Sequence, residues 1–219
     1  MNPDAQRYLE LKEQLQKRSP KTQILVVTKT QSESRIRSFL EALPLDLRPP
    51  LGENYADELA IKALALKELS PEWHFIGPPQ MRGLKKIATF VTCVHSVTRN
   101  KEAEFLEFQK LPYFVQINIS GEASKSGLSP EGLAQFLAEE TQARRSFDLC
   151  WGLMGMAAPL DQVGQESVKN SFRLLSQLRD QHLRGRGLCI GMSDDFDLAL
   201  EFEPQFVRLG SLIFGPRSS

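Results

Sequence analysis

Three cysteines and three histidines in 219 residues leave little material for a metal centre or a disulfide framework. Cys93, Cys150 and Cys189 each lie inside an apolar run, none at a metal-ligand spacing, and read as small buried hydrophobes in a reducing compartment. His74, His95 and His182 are far apart in the chain and show no ligand spacing, so no metal site is expected. Net charge is missing as well: 27 basic residues face 27 acidic ones, which excludes nonspecific binding to nucleic acid or to an anionic membrane surface. No apolar run approaches the length of a membrane span, and the first 18 residues are polar and helix-prone without a signal-like apolar core. A soluble, cytoplasmic protein is expected. There is no Ser-His-Asp order, Walker loop or dinucleotide fingerprint. No linker, low-complexity tract or repeat divides the chain, so residues 1–219 read as one domain, with 44–50 a long helix-to-strand loop. No long apolar docking patch stands out, which favours a monomer.

What is present is alternation. Strand-like apolar runs fall at 23–29, 50–52, 73–77, 90–96, 113–120, 149–156, 187–192 and 206–214. Amphipathic helical patterns lie between them, notably at 32–42, 55–69, 130–143 and 165–183, with apolar residues at three- and four-residue spacing. Eight βα units in a chain of this length predict an α/β fold, a single (β/α)8 TIM barrel with an extra N-terminal helix. That helix carries Leu9, Leu11 and Leu15 and is expected outside the barrel, closing its N-terminal face. Trp73, Phe75 and Trp151 read as packing residues.

The chemistry of such a barrel collects at the C-terminal ends of its strands. Lys29 closes the first apolar run, and strand alternation puts it on the face of Leu25 and Val27, at the mouth of a packed interior. Desolvation lowers a lysine's pKa and frees its amine for Schiff-base chemistry; the plain alternative is a strand-end lysine snorkelling to water. After the seventh run stands Gly191-Met192-Ser193-Asp194-Asp195, and at the eighth Val207-Arg208-Leu209-Gly210-Ser211: two glycine-bearing loops with hydroxyls and amides that form a cradle for phosphate. Each also reads as a simple helix cap or bend, and the two aspartates would repel phosphate unless turned away. Arg208 interrupts an apolar strand and needs a partner, either a buried ion pair or a ligand. Asn54 and Asn118 present amides at the same mouth or serve as turn residues.

In order along the chain stand Val27-Thr28-Lys29-Thr30, Gly52-Glu53-Asn54-Tyr55, Trp73-His74-Phe75-Ile76-Gly77, and Asn118-Ile119-Ser120 with Ser124-Lys125-Ser126-Gly127. Gly152-Leu153-Met154, Gly191-Met192-Ser193-Asp194-Asp195 and Arg208-Leu209-Gly210-Ser211 through Phe214-Gly215 follow. From about residue 23 to the end this pattern resembles the pyridoxal phosphate homeostasis protein family, whose barrel is that of the N-terminal domain of alanine racemase. The resemblance implies a fold-type III pyridoxal 5'-phosphate (PLP) protein. It implies Lys29 as the internal-aldimine lysine, Ser193, Gly210 and Ser211 as phosphate ligands, and Arg208 as the partner of the pyridine nitrogen. Asn54 and Met154 resemble positions bordering the ring. An arginine beside that nitrogen disfavours its protonation and weakens the cofactor as an electron sink. Two positions depart from the pattern: Gly83 stands where the family often has lysine, leaving Lys85 or Lys86 nearby, and Thr28 stands where serine is frequent.

The reading that follows is a carrier or regulator with little or no turnover, acting in intracellular vitamin B6 homeostasis and amino-acid or keto-acid balance. Its partners would be PLP and either PLP-dependent apoenzymes or a regulatory protein. A chain ending just after its eighth strand is expected to lack the second domain that supplies a racemase's tyrosine base. The alternatives are a low-activity single-domain amino-acid racemase with Lys29 as base, a cofactor-free Schiff-base aldolase, or an interaction module read through its outer helices.

Overall fold

A computed structural model describes residues 2–122, 125–142 and 147–216, with side chains 140, 142 and 147 excepted. Ser124 of the Ser124-Lys125-Ser126-Gly127 string and the last residue of the helix read over 130–143 lie outside the described residues.

Among the described residues eight parallel strands close into a barrel in sequence order: β1 (Gln23–Val27), β2 (Leu51–Glu53), β3 (Trp73–Phe75), β4 (Val91–Val97), β5 (Tyr113–Ile117), β6 (Cys150–Gly155), β7 (Gly187–Met192) and β8 (Phe206–Leu209). Strand β8 returns to β1, with Leu25 opposite Arg208. This is the expected (β/α)8 TIM barrel. Alternation along each strand sorts its side chains into two cores. Ile24 and Val26, Leu153, Leu188 and Ile190, Val207 and Leu209 face outward into the large cluster under the helices. Leu25, Cys93, Phe114, Met154, Cys189 and Phe206 fill the barrel interior.

The connecting helices are α2 (Glu33–Glu41), α3 (Ala56–Ala65), α4 (Met81–Ile87), α5 (Asn100–Phe108), α6 (Pro130–Gln142), α7 (Leu160–His182), α8 (Phe196–Ala199) and α9 (Ser211–Phe214), preceded by α1 (Pro3–Arg18). Helix α7 breaks at Gly164, whose φ is 76°, and its regular part begins where the sequence pattern placed it. The apolar run at 206–214 is not one strand. Gly210 ends β8, and Ser211–Phe214 turn into α9, so Ile213 and Phe214 pack as helix residues.

The N-terminal helix does not close the barrel's N-terminal face. It lies along the outside beside α2 and α9. Asn2 caps it, accepting from the amides of Asp4 and Ala5. Tyr8 packs edge-on against Phe39, which packs against Phe214, and Arg35 Nε donates to Asp4 at 2.7 Å. Since α9 is a single turn, α1 supplies the outer layer that the β8–β1 side needs to bury Phe39 and Phe214.

Candidate functional site

A cavity of about 240 Å³ opens at the C-terminal end of the barrel, and Lys29, Asn54, Met154, Ser193, Arg208, Gly210 and Ser211 all line it. Lys29 lies in a turn two residues beyond β1, yet continues the inward series Leu25, Val27. Arg208 and Gly210 continue the inward series from Phe206 on β8. Ile76, Met156 and Met192 complete apolar walls that the sequence reading did not single out. The signal for Met156 was there: it lies two residues after Met154, on the same strand face.

Asn54 is fixed by a close approach. A Cβ on Gly77 would sit 1.7 Å from the Asn54 carbonyl oxygen, so the segment after β3 passes the segment after β2 only without a side chain. Gly77→Ala is expected to cost about 3 kcal/mol, because a backbone rather than a flexible side chain must yield. A urea denaturation midpoint within error of the unsubstituted protein would contradict this.

Arg208 is 5% exposed and has no carboxylate within 4.0 Å among the described residues. Its Nη1 donates to Cys189 O at 2.8 Å and Cys189 Sγ at 3.1 Å, and its Nη2 to Gly155 O at 3.0 Å. The buried-ion-pair alternative is therefore not what holds it, and a cation facing the cavity remains. The side-chain oxygen of Asn54 is buried without a hydrogen-bond partner. Ser193, Gly210 and Ser211 line the cavity at the ends of β7 and β8, where the first amides of the turn at 211–214 have no intrahelical acceptor. Of the two aspartates, Asp195 turns away: it accepts from the Met192 amide at 2.5 Å, and burial raises its pKa. Asp194 stays exposed on the cavity rim.

A buried ionic frame flanks Lys29. Lys62 of α3 donates to Thr28 O at 2.7 Å, to Glu53 Oε2 at 2.7 Å and to Glu58 Oε1 at 2.5 Å. Glu58 accepts from the Thr30 amide and Glu53 from the Asn54 amide. Thr30 holds a φ of 67°, which β-branched residues avoid. A lysine inside the buried stripe Leu59, Lys62, Ala63 was the available sequence signal.

Of the two readings of Asn118 the turn residue holds: it does not line the cavity but organises the loop after β5, donating to Glu122 O and Lys125 O. Lys86 pairs with Asp57 at 2.5 Å and lines a neighbouring pocket with Arg82 and Gly83. The histidines are not all apart: His74 Nδ1 and His95 Nε2 lie 2.8 Å from one another in the barrel interior, with the Cys93 thiol close by. Parallel pairing of β3 with β4 brings them together, which sequence spacing does not reveal.

The sequence is 38% identical over 200 residues to the pyridoxal phosphate homeostasis protein of Pseudomonas aeruginosa, covering 89% of this chain and 84% of that one. The chain belongs to the pyridoxal phosphate homeostasis protein family. The family's Aquifex aeolicus member is 36% identical over 179 residues, covering 76% of each chain. Among solved structures, PipY of Synechococcus elongatus with PLP bound superposes with a TM-score of 0.76 at 26% identity, over 97% of this chain and 100% of that one. Alanine racemase of Acinetobacter baumannii shares the fold, with a TM-score of 0.72 at 14% identity, and this chain covers 62% of it. No protein-family profile matches the sequence. Among the described residues no helix is long and apolar enough to cross a membrane.

Proposed function

We propose that this protein binds PLP at the barrel mouth and serves the cell's PLP homeostasis as a carrier or regulator rather than as an enzyme. The observation that carries the reading is the convergence of Lys29, Arg208 and the Ser193, Gly210 and Ser211 loops on one cavity. The residues fit the cofactor: one cavity is lined by a primary amine, hydroxyls and open amides, a fixed cation, an asparagine with an orphaned amide oxygen, and methionine walls. When bound, the cofactor supplies an electrophilic aldehyde and an electron-accepting ring.

The chain's own groups divide the work. Lys29 is the nucleophile for the aldehyde carbon. Ser193, Gly210 and Ser211 hold the phosphate, and Asn54 and Met154 border the ring. Arg208 faces the pyridine nitrogen; because a guanidinium stays charged, it disfavours a proton on that nitrogen and restrains carbanion chemistry. None of the chain's three tyrosines, Tyr8, Tyr55 and Tyr113, lines the cavity, which supports low turnover. The reading takes residues 1–219 as one unit, a cytoplasmic monomer whose protein partners are PLP-dependent apoenzymes or a regulatory protein. Its three cysteines form no disulfide, which suits a reducing compartment.

The test is an absorbance spectrum of purified protein with PLP, followed by borohydride reduction and peptide mass analysis. A pyridoxyl group on Lys29 is expected. A protein that takes up no PLP, or sustained turnover of added amino acids, would overturn the carrier reading.

A further inference from the structure

Behind Arg208 runs a chain of buried polar groups that the cavity does not use. Arg208 Nη1 meets Cys189 Sγ at 3.1 Å, Cys189 Sγ meets His95 Nδ1 at 3.2 Å, His95 Nε2 meets His74 Nδ1 at 2.8 Å, and His74 Nε2 meets Glu72 Oε1 at 2.9 Å. The chain follows the barrel interior from the mouth to the opposite face, since Glu72 precedes the first residue of β3 and is half-exposed there. His95 is stacked on Phe114 with ring centroids 4.6 Å apart, and His74 meets Phe206 edge-on.

When each histidine carries a single ring proton, donor and acceptor rules at the two ends give every link one direction. A guanidinium only donates, so Cys189 Sγ offers Arg208 a lone pair. A carboxylate only accepts, so His74 carries its proton on Nε2 and accepts at Nδ1. His95 then donates from Nε2, its Nδ1 is an acceptor, and the Cys189 thiol donates to it. All five groups are satisfied with both histidines neutral and the cysteine a thiol. Burial agrees: it is the largest cause holding the His95 pKa well below its ordinary value, and it raises the Cys189 thiol. The hydrogen bond from His74 lowers the Glu72 pKa and keeps the terminal group an anion.

We propose that Cys189, His95, His74 and Glu72 form a one-directional hydrogen-bond relay that positions Arg208 toward the cofactor's pyridine nitrogen, so that a residue on the far face of the barrel influences the cofactor's electronic state. Three of the five guanidinium N–H groups are taken by Cys189 O, Cys189 Sγ and Gly155 O, which leaves two for the cavity that Arg208 lines. Without Glu72 nothing fixes the tautomers; a reversed relay turns a proton from His95 toward the sulfur, and the sulfur's hold on Arg208 weakens. The cofactor half of this inference rests on the function proposed above, whereas the relay itself does not. Cys93 lies beside the two histidines, but all four of their ring nitrogens already have partners, and burial raises the Cys93 thiol well above its ordinary pKa. The geometry thus favours a relay over a metal site.

The experiment has two parts. In cofactor-free protein with 15N-labelled histidine, nitrogen shifts should show His74 and His95 both protonated at Nε2 and bare at Nδ1. Replacing the half-exposed Glu72 with alanine should abolish that single tautomeric state without unfolding the protein. His95 protonated at Nδ1 in the unsubstituted protein would overturn the relay, as would added Zn2+ converting both histidines to metal-bound shifts. In the second part, protein loaded with PLP is compared by absorbance and affinity. Cys189→Ala should weaken binding about tenfold and shift the absorbance maximum, a loss of the size expected for one hydrogen bond to a charged group. Cys189→Ser, which keeps a donor and an acceptor, should restore both, and Glu72→Ala should shift the maximum from across the barrel. Identical spectra and affinities throughout would refute the positioning role. Failure of the unsubstituted protein to form the Lys29 adduct would instead sink the cofactor reading, and the tautomers would still decide the relay.

Discussion

Lys29→Ala is expected to abolish every borohydride-stable pyridoxyl adduct while leaving the urea midpoint nearly unchanged. Lys29 is only partly buried, beyond the end of β1, so truncating it opens no void in either core and should cost less than about 1 kcal/mol. Reversible PLP binding should survive in weakened form, because Arg208 and the Ser193, Gly210 and Ser211 loops remain. Lys62, whose ammonium approaches the same turn, is no substitute nucleophile: three acceptors hold it as a buried cation. A pyridoxyl group found on another lysine, or full retention of the adduct, would remove Lys29 from its assigned role.

The order of strands and the inward face of each were legible because alternation is a local property. Leu25, Val27 and Lys29, or Phe206, Arg208 and Gly210, fall on one side by counting residues, and that counting predicts which residues line the mouth even though β1 stops at Val27. The run at 206–214 was misread because Leu212, Ile213 and Phe214 form a short apolar stretch, which suits a strand or a buried helical turn equally. What was not legible depends on pairing between strands. His74 and His95 are separated by 21 residues and become neighbours only through the β3–β4 register, which shifts by a residue between Trp73 and His74. The place of α1 was hidden for the same reason, since nothing within residues 3–18 indicates that the β8–β1 side lacks a full outer helix.

Lys62→Met should have the largest effect on stability of any surface-remote substitution at the site. The side chains of Lys62 and Glu53 are 4% and 0% exposed, so removing the cation leaves a carboxylate buried without its partner, at a cost of about 3–5 kcal/mol. Against a total stability of about 5–15 kcal/mol, that should lower the urea midpoint steeply. The substitution also takes the ammonium from Thr28 O, which keeps only the Gln31 amide, and frees Glu58, and through Glu58 the amide of Thr30, whose positive φ is held against its own preference. The turn that carries Lys29 is then free to relax, and adduct formation at Lys29 should slow even in protein that remains folded. Pairing Lys62→Met with Glu53→Gln separates the two consequences. The double variant removes the uncompensated charge and should regain much of the lost stability, but it does not restore the clamp on residues 28 and 30. Stability recovered together with normal adduct kinetics would show that the frame serves the fold alone. Stability recovered while adduct formation stays slow would show that the Lys62, Glu53 and Glu58 frame sets the position of the nucleophile.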